Sequence, residues 1–126
     1  MLNTPPVFAV YVCLLTLRWL KEMGGVAAVE KLNNEKAALL YEEIDSNPLF
    51  KGTVAKEDRS KMNACFVMND VSLEEKFLAY AKEKNIVGIK GHRLVGGFRA
   101  SLYNALPISS VQVLVDVMQS FAKEVA

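Results

Sequence analysis

The amino-acid sequence predicts an α+β fold: two N-terminal helices followed by a small, mainly antiparallel sheet covered by helices. Apolar residues recur at helical spacing near both ends, and short strand-like runs bounded by turn residues fill the middle. A length of 126 residues fits one domain large enough to bury a core without disulfides.

Asn3-Thr4-Pro5-Pro6 reads as a helix start, with Thr4 as cap and a proline where its missing N–H costs nothing. The helix runs to about Met23 and stops at Gly24-Gly25. Val7 to Leu17 is apolar except for Thr16. That run is too short to span a bilayer and has no basic n-region before it, so it reads as a helix buried nearly all round. Such a helix needs protein on every side.

A second helix is expected from Val26 to Ile44. Ala28, Val29, Leu32, Leu39, Leu40 and Ile44 form its apolar stripe, with Glu30, Lys31, Glu35 and Lys36 elsewhere. Asp45 to Pro48 is turn chemistry. Extended segments are expected at Phe50–Val54, Met62–Met68, Ile86–Ile89 and Phe98–Tyr103. Between the second and third of these, Asp70 or Ser72 caps a helix to about Lys84, and Glu75 completes a capping box with Ser72. Ser109 or Ser110 opens a last helix striped by Val111, Leu114, Val115, Met118 and Phe121.

The apolar share is 52% and the formal charge is +1, from 15 Lys+Arg against 14 Asp+Glu. Disorder is excluded by the first figure, and a general nucleic-acid or anionic-membrane binder is disfavoured by the second. Cys13 and Cys65 read as reduced thiols of a cytoplasmic protein. No neighbouring base marks Cys65 as a nucleophile, and two Cys with one His do not make a zinc site, so no metal ligand is assigned.

The informative stretch is GIKGHRLVGGFRAS, Gly88 to Ser101. It gathers four glycines with Lys90, His92, Arg93 and Arg99. Glycines admit close approach of a ligand, and guanidinium groups hold carboxylates and phosphates in a planar fork. His92 adds a donor whose charge varies near neutral pH. The cluster reads as a pocket for a small molecule with two anionic groups. A glycine-rich hairpin with basic side chains in solvent has the same spacing, and the sequence alone does not separate the two. Gly88 to Gly91 also matches the GXXG clamp of KH domains, but strand-like residues flank it where helices belong. No P-loop is present.

These residues carry a resemblance. Gly91 to Pro107 (GHRLVGGFRASLYNALP) closely resembles the C-terminal signature of phosphoserine aminotransferases. Asn3 to Ala9 (NTPPVFA) resembles that family's link between its domains, and Glu57 to Phe66 (EDRSKMNACF) its entry into the small-domain sheet. Lys61 and Ala64-Cys65 depart from the family's usual Arg and Val-Pro. The resemblance implies a fold-type I, class V transaminase that uses pyridoxal 5'-phosphate and works as a homodimer. It exchanges an amino group between phosphoserine and 2-oxoglutarate in serine biosynthesis, and often serves pyridoxine biosynthesis too.

By the same resemblance, Asn3 and Thr4 contact the cofactor phosphate of the neighbouring subunit. Arg99 holds the substrate α-carboxylate, and His92 and Arg93 hold its phosphate across the dimer. The family's cofactor-bearing lysine belongs to a large domain whose motif is absent here, and Lys90 lies in the wrong motif to replace it. The chain is therefore expected to be the C-terminal small domain, residues 26–126, preceded by an interdomain helix, residues 1–25. Alone it is expected to be inert, with no catalytic residue assigned. The alternative is a stand-alone binding module for small phosphorylated amino acids. Neither nucleic acid nor membrane is an expected partner.

Overall fold

The computed structural model describes residues 3–125. The chain divides into two compact units, one ending at Leu32 and one beginning at Asn33. The first holds helix α1 (Val7–Glu22) and the opening of helix α2 (Gly25–Ser46). The chain turns between them at Gly24 and Gly25, whose φ angles are +101° and +77°. Met23 and Gly24 donate to the carbonyls of Trp19 and Lys21, closing α1 before the turn.

Two expectations for this unit need correction. Thr4 does not cap α1. The cap position is Pro6 and makes no side-chain bond, because the first helical hydrogen bond, Val10 N–H to Pro6 O, forms two residues beyond Thr4. Nor is α1 buried: it has no buried residue, and Phe8 is 81% exposed. The protein that its composition calls for on every side does not come from these residues.

The second unit contains the rest of α2, then strand β1 (Phe50–Gly52), strand β2 (Asn63–Met68), helix α3 (Glu74–Glu83), strand β3 (Phe98–Ser101) and helix α4 (Ile108–Val125). The strands form an antiparallel sheet in the order β1-β2-β3, with Phe50 opposite Met68 and Cys65 opposite Arg99. Burial alternates strictly along β2 and β3, so Ala64, Phe66, Met68, Phe98 and Ala100 face the core. The rings of Phe66 and Phe98 lie 5.2 Å apart, and Phe77 meets Phe50, Phe98 and Phe121 edge-on at 5.0–5.2 Å. The whole predicted stripe of α4 is buried, joined by Val117.

The expected strand at Ile86–Ile89 is absent. Ile86 N–H instead bonds the carbonyl of Ala81, and Asn85 N–H that of Lys82, with Asn85 at φ 62°. This pair of bonds is a Schellman closure of α3, which uses the amide that a strand would need. Only a single bridge, Lys90 to Phe98, follows. The cap before α3 is Asp70, whose carboxylate accepts from Ser72 N–H at 2.9 Å and starts a short 3-10 turn, Val71–Leu73. The Ser72–Glu75 box is not formed, because the α-helix begins only at Glu74. β1 ends at Gly52 rather than Val54, and α4 starts at Ile108 rather than at the serines.

Lys36 also departs from expectation. The helical spacing puts it off the apolar stripe, yet its side chain is completely buried. Its ammonium donates to the carbonyls of Leu102 (3.0 Å), Tyr103 (2.8 Å) and Leu106 (3.2 Å). Those bonds turn the chain away from the sheet, so β3 stops at Ser101 instead of Tyr103. Burial holds the Lys36 pKa below the ordinary lysine value.

The loop after β1 is tied to α2 by Arg59. Its guanidinium forks onto both oxygens of Asp45, at 2.7 and 2.9 Å, and lies 4.6 Å over the Tyr41 ring. The Arg59 hydrogen bonds hold the Asp45 carboxyl down to about 2, from an ordinary 3.8. A depressed native pKa gives stability that is full above the ordinary value and lost as pH falls through the native one. With partial exposure discounted, the pair is worth about 1 kcal/mol. Urea unfolding of Asp45→Asn should show that deficit at neutral pH and a deficit that shrinks steadily as pH falls from about 4 through 2. A deficit that stays constant over that range would contradict the pairing.

Candidate functional site

The site is built on β3 and the loop before it. Alternation that buries Phe98 and Ala100 turns Arg99 and Ser101 to the open face of the sheet. Arg99 is fixed at its backbone by its N–H to Ile89 O, 2.8 Å, and by pairing with Cys65.

The loop is closed by its own backbone. Gly91 N–H donates to Gly97 O at 2.8 Å, and the N–H groups of Val95 and Gly96 both reach His92 O, at 2.9 and 2.8 Å. A side chain at Gly91 would overlap Gly96 O and Gly97 O. Gly96 and Gly97 have φ of +77° and +62°, and a Cβ on Gly97 would come within 2.7 Å of Phe66 O. The glycines thus fold the loop back over β2.

His92 Nδ1 accepts from Leu94 N–H at 3.3 Å, which leaves Nε2 free to donate outward. His92 and Arg99 line one cleft of about 170 Å³, together with Thr53, Cys65, Gly91 and Gly96. Arg93 is exposed beside it at the loop tip and is not part of its lining. Lys90 pairs with Glu75 at 3.4 Å instead. Among the described residues neither Arg93 nor Arg99 is in an ion pair, whereas Arg59 is. Two guanidinium groups without a protein carboxylate and a polarised imidazole N–H suit small anions.

Asn3 and Thr4 belong to the first unit and are exposed just before Pro5-Pro6. Val7 N–H is taken by Pro5 O and Val10 N–H by Pro6 O, and the first-turn amides between them, Phe8 and Ala9, stand at the helix start. A larger cleft of about 400 Å³ is lined by Lys84–Ile89, Val111 and Leu114 and also by Arg99, but not by His92 or Arg93.

Nothing in the sequence marks Thr53 and Cys65 as cleft residues. Cys65 arrives there by strand register opposite Arg99, and Thr53 because its hydroxyl donates to Cys65 O at 3.3 Å. Only the alternation along β2, had its pairing with β3 been known, would have shown Cys65 on the Arg99 face.

The sequence and the fold are shared with known enzymes. Residues 1–114 match the Aminotransferase class-V family, and the chain belongs to it. It is 63% identical over 123 residues to the phosphoserine aminotransferase of Porphyromonas gingivalis, covering 96% of this chain and 34% of that protein. Among solved structures, the phosphoserine aminotransferase of Bacillus circulans subsp. alkalophilus superposes with a TM-score of 0.93 at 40% identity, covering 98% of this chain and 35% of that one. A PLP-bound phosphoserine aminotransferase from Trichomonas vaginalis gives 0.86 at 43% identity, covering 94% and 34%. The chain thus spans about a third of the length of the relatives it matches.

Proposed function

We propose that this chain is the substrate-recognition part of a phosphoserine aminotransferase. That enzyme moves an amino group between L-phosphoserine and 2-oxoglutarate, giving 3-phosphohydroxypyruvate and L-glutamate in serine biosynthesis. The observation that carries the reading is that, among the described residues, the guanidinium groups of Arg93 and Arg99 are in no ion pair, and no carboxylate lines the cleft of His92 and Arg99. Arg99 forks onto the α-carboxylate of the substrate in its own subunit, while His92 Nε2 and Arg93 hold, across the dimer, the phosphate of the substrate in the partner subunit. Each contact orients the substrate and raises the local positive potential without taking part in bond making.

Pyridoxal phosphate, when bound, supplies the electron sink for the amino-group transfer. The residues present fit a contact to its phosphate: Thr4 and Asn3 are exposed next to the first-turn amides of a 16-residue helix. They do not supply its lysine. Lys36 is saturated by three carbonyls, and Lys90 lies in the anion loop against Glu75. The chain alone is therefore inactive in this reading.

Residues 1–25 serve as the interdomain and interface helix and residues 26–126 as the small domain. The exposed apolar side chains of α1 support a large domain and a second subunit as its covering. The two free thiols, Cys13 and Cys65, agree with a cytoplasmic setting. Among the described residues no helix is long and apolar enough to cross a membrane.

The test is a chimera in which this chain replaces the matching segment of the Porphyromonas gingivalis enzyme, assayed for glutamate formed from phosphoserine and 2-oxoglutarate. Activity within about tenfold of the parent is expected, since pocket contacts set most of the transition-state binding. In the same chimera Arg93→Ala should cost phosphorylated substrates far more than unphosphorylated ones. A folded, cofactor-loaded chimera without activity overturns the reading. If the isolated chain nonetheless bound phosphoserine, the stand-alone module would take its place.

A further inference from the structure

Lys36 is the one lysine with no exposure among the described residues, and nothing in the site accounts for it. Its three protons meet three acceptors, all backbone carbonyls, in a segment 66 to 70 residues further along the chain. No carboxylate is among these partners. A compact ammonium with three diverging donors suits three convergent carbonyls better than a planar guanidinium would. A buried charge is weak evidence for stability, because an apolar residue of similar volume often serves as well; its best-attested role is to fix one arrangement among several.

The arrangement fixed here is the exit of β3. β3 is a four-residue edge strand, with Arg99 in its second position. Upstream, Arg99 N–H is held by Ile89 O. Downstream, the chain passes Ala100 and Ser101 and reaches Leu102, whose N–H bonds Met62 O and whose carbonyl takes the Lys36 ammonium. One helical turn before Lys36, Asn33 Nδ2 donates to Asn104 Oδ1 at 2.8 Å, a second tether on the same turn. Arg99 therefore lies on a short span between two anchors, one supplied by the glycine loop and one by α2. We propose that Lys36 is a positioning residue: by gathering the carbonyls at the end of β3 it fixes the bearing of the Arg99 guanidinium.

The consequence for substrate rests on the reading of Arg99 as the carboxylate fork, but the placement of β3 does not. The experiment is accordingly done on the chain without substrate, by amide hydrogen exchange and the Arg99 Nε–H resonance, comparing wild type with Lys36→Met. Exchange at Arg99, Leu102 and Leu106 should speed about 100-fold relative to Asn69, whose bond to Leu49 O lies at the far edge of the sheet. The Arg99 Nε–H signal should shift or broaden with it. Equal acceleration at Asn69, or an unmoved Arg99 signal, would show that Lys36 only adds stability. If Lys36→Met does not fold, native-state exchange of the wild type in rising urea decides: Arg99, Leu102 and Leu106 should open in one step below global unfolding. Separate opening of Arg99 overturns the proposal. An active chimera with a failed clamp, or the converse, tells the two readings apart.

Discussion

Arg99→Ala in the chimera is expected to lower kcat/KM by about 30- to 5,000-fold, the range for losing one partner of a desolvated charge pair worth about 2–5 kcal/mol. The loss should be the same for phosphorylated and unphosphorylated amino acids, because every one carries the α-carboxylate. Arg99→Lys keeps the charge but not the fork, and is expected to recover only part of the activity. Steady-state kinetics with phosphoserine and with glutamate are enough to check this. A loss confined to phosphoserine would move Arg99 to the phosphate and undo the division of labour with Arg93. The backbone of Arg99 is held independently of its side chain, by Ile89 O and the Cys65 pairing. The variant should therefore unfold at the wild-type urea concentration, so that lost activity reports lost binding.

Gly91→Ala and Gly97→Ala are each expected to destabilise the chain by about 3 kcal/mol, and Gly96→Ala by about 1 kcal/mol. The order follows from what each new methyl group meets. At Gly91 it overlaps the carbonyl oxygens of Gly96 and Gly97, which are backbone and cannot swing aside. At Gly97 it comes within 2.6 Å of Val67 Cγ1 and 2.7 Å of Phe66 O, at a φ that L-residues rarely adopt. At Gly96 the space is open and only the positive φ opposes it. Equilibrium urea denaturation of the three variants gives the ranking directly. Should Gly96→Ala prove as costly as Gly91→Ala, the loop is not closed as described. The effect on function should follow the same order, since the loop that Gly91 and Gly97 close carries His92 to the cleft.

What could be read from the sequence was what depends on neighbours in sequence. The α4 stripe from Val111 to Phe121 is buried as its spacing requires, and β2 buries every second residue. His92, Arg93 and Arg99 stood out because glycines and basic residues crowd 14 positions, a local signal. The failures have long-range causes. Ile86–Ile89 has strand composition, but Ile86 N–H is already committed to Ala81 O. β3 ends early because a lysine on α2, far away in sequence, takes the carbonyls of Leu102 and Tyr103. Lys36 itself reads as a solvent residue, since nothing local announces three waiting acceptors. Thr53 and Cys65 reach the cleft only through strand register. α1 failed differently: its composition records a covering that the described residues do not provide.

The two-residue alternation of β3 has a bearing on how such a domain can change its preferences. Phe98 and Ala100 lie among the aromatic rings of the core, and Arg99 and Ser101 lie on the open face, where Ser101 Oγ donates to Asn63 Oδ1 at 3.3 Å. On the proposed reading of Arg99, ligand contact and foldedness are thereby written on separate sets of positions within four consecutive residues. Randomising Arg99 and Ser101 with their cross-strand neighbours Cys65 and Asn63 would explore new ligands while leaving the hydrophobic interior untouched. A single inserted or deleted residue in the strand would exchange the two sets at once, driving a guanidinium into the phenylalanine cluster. Drift by substitution is therefore open to this strand, and drift by length is closed.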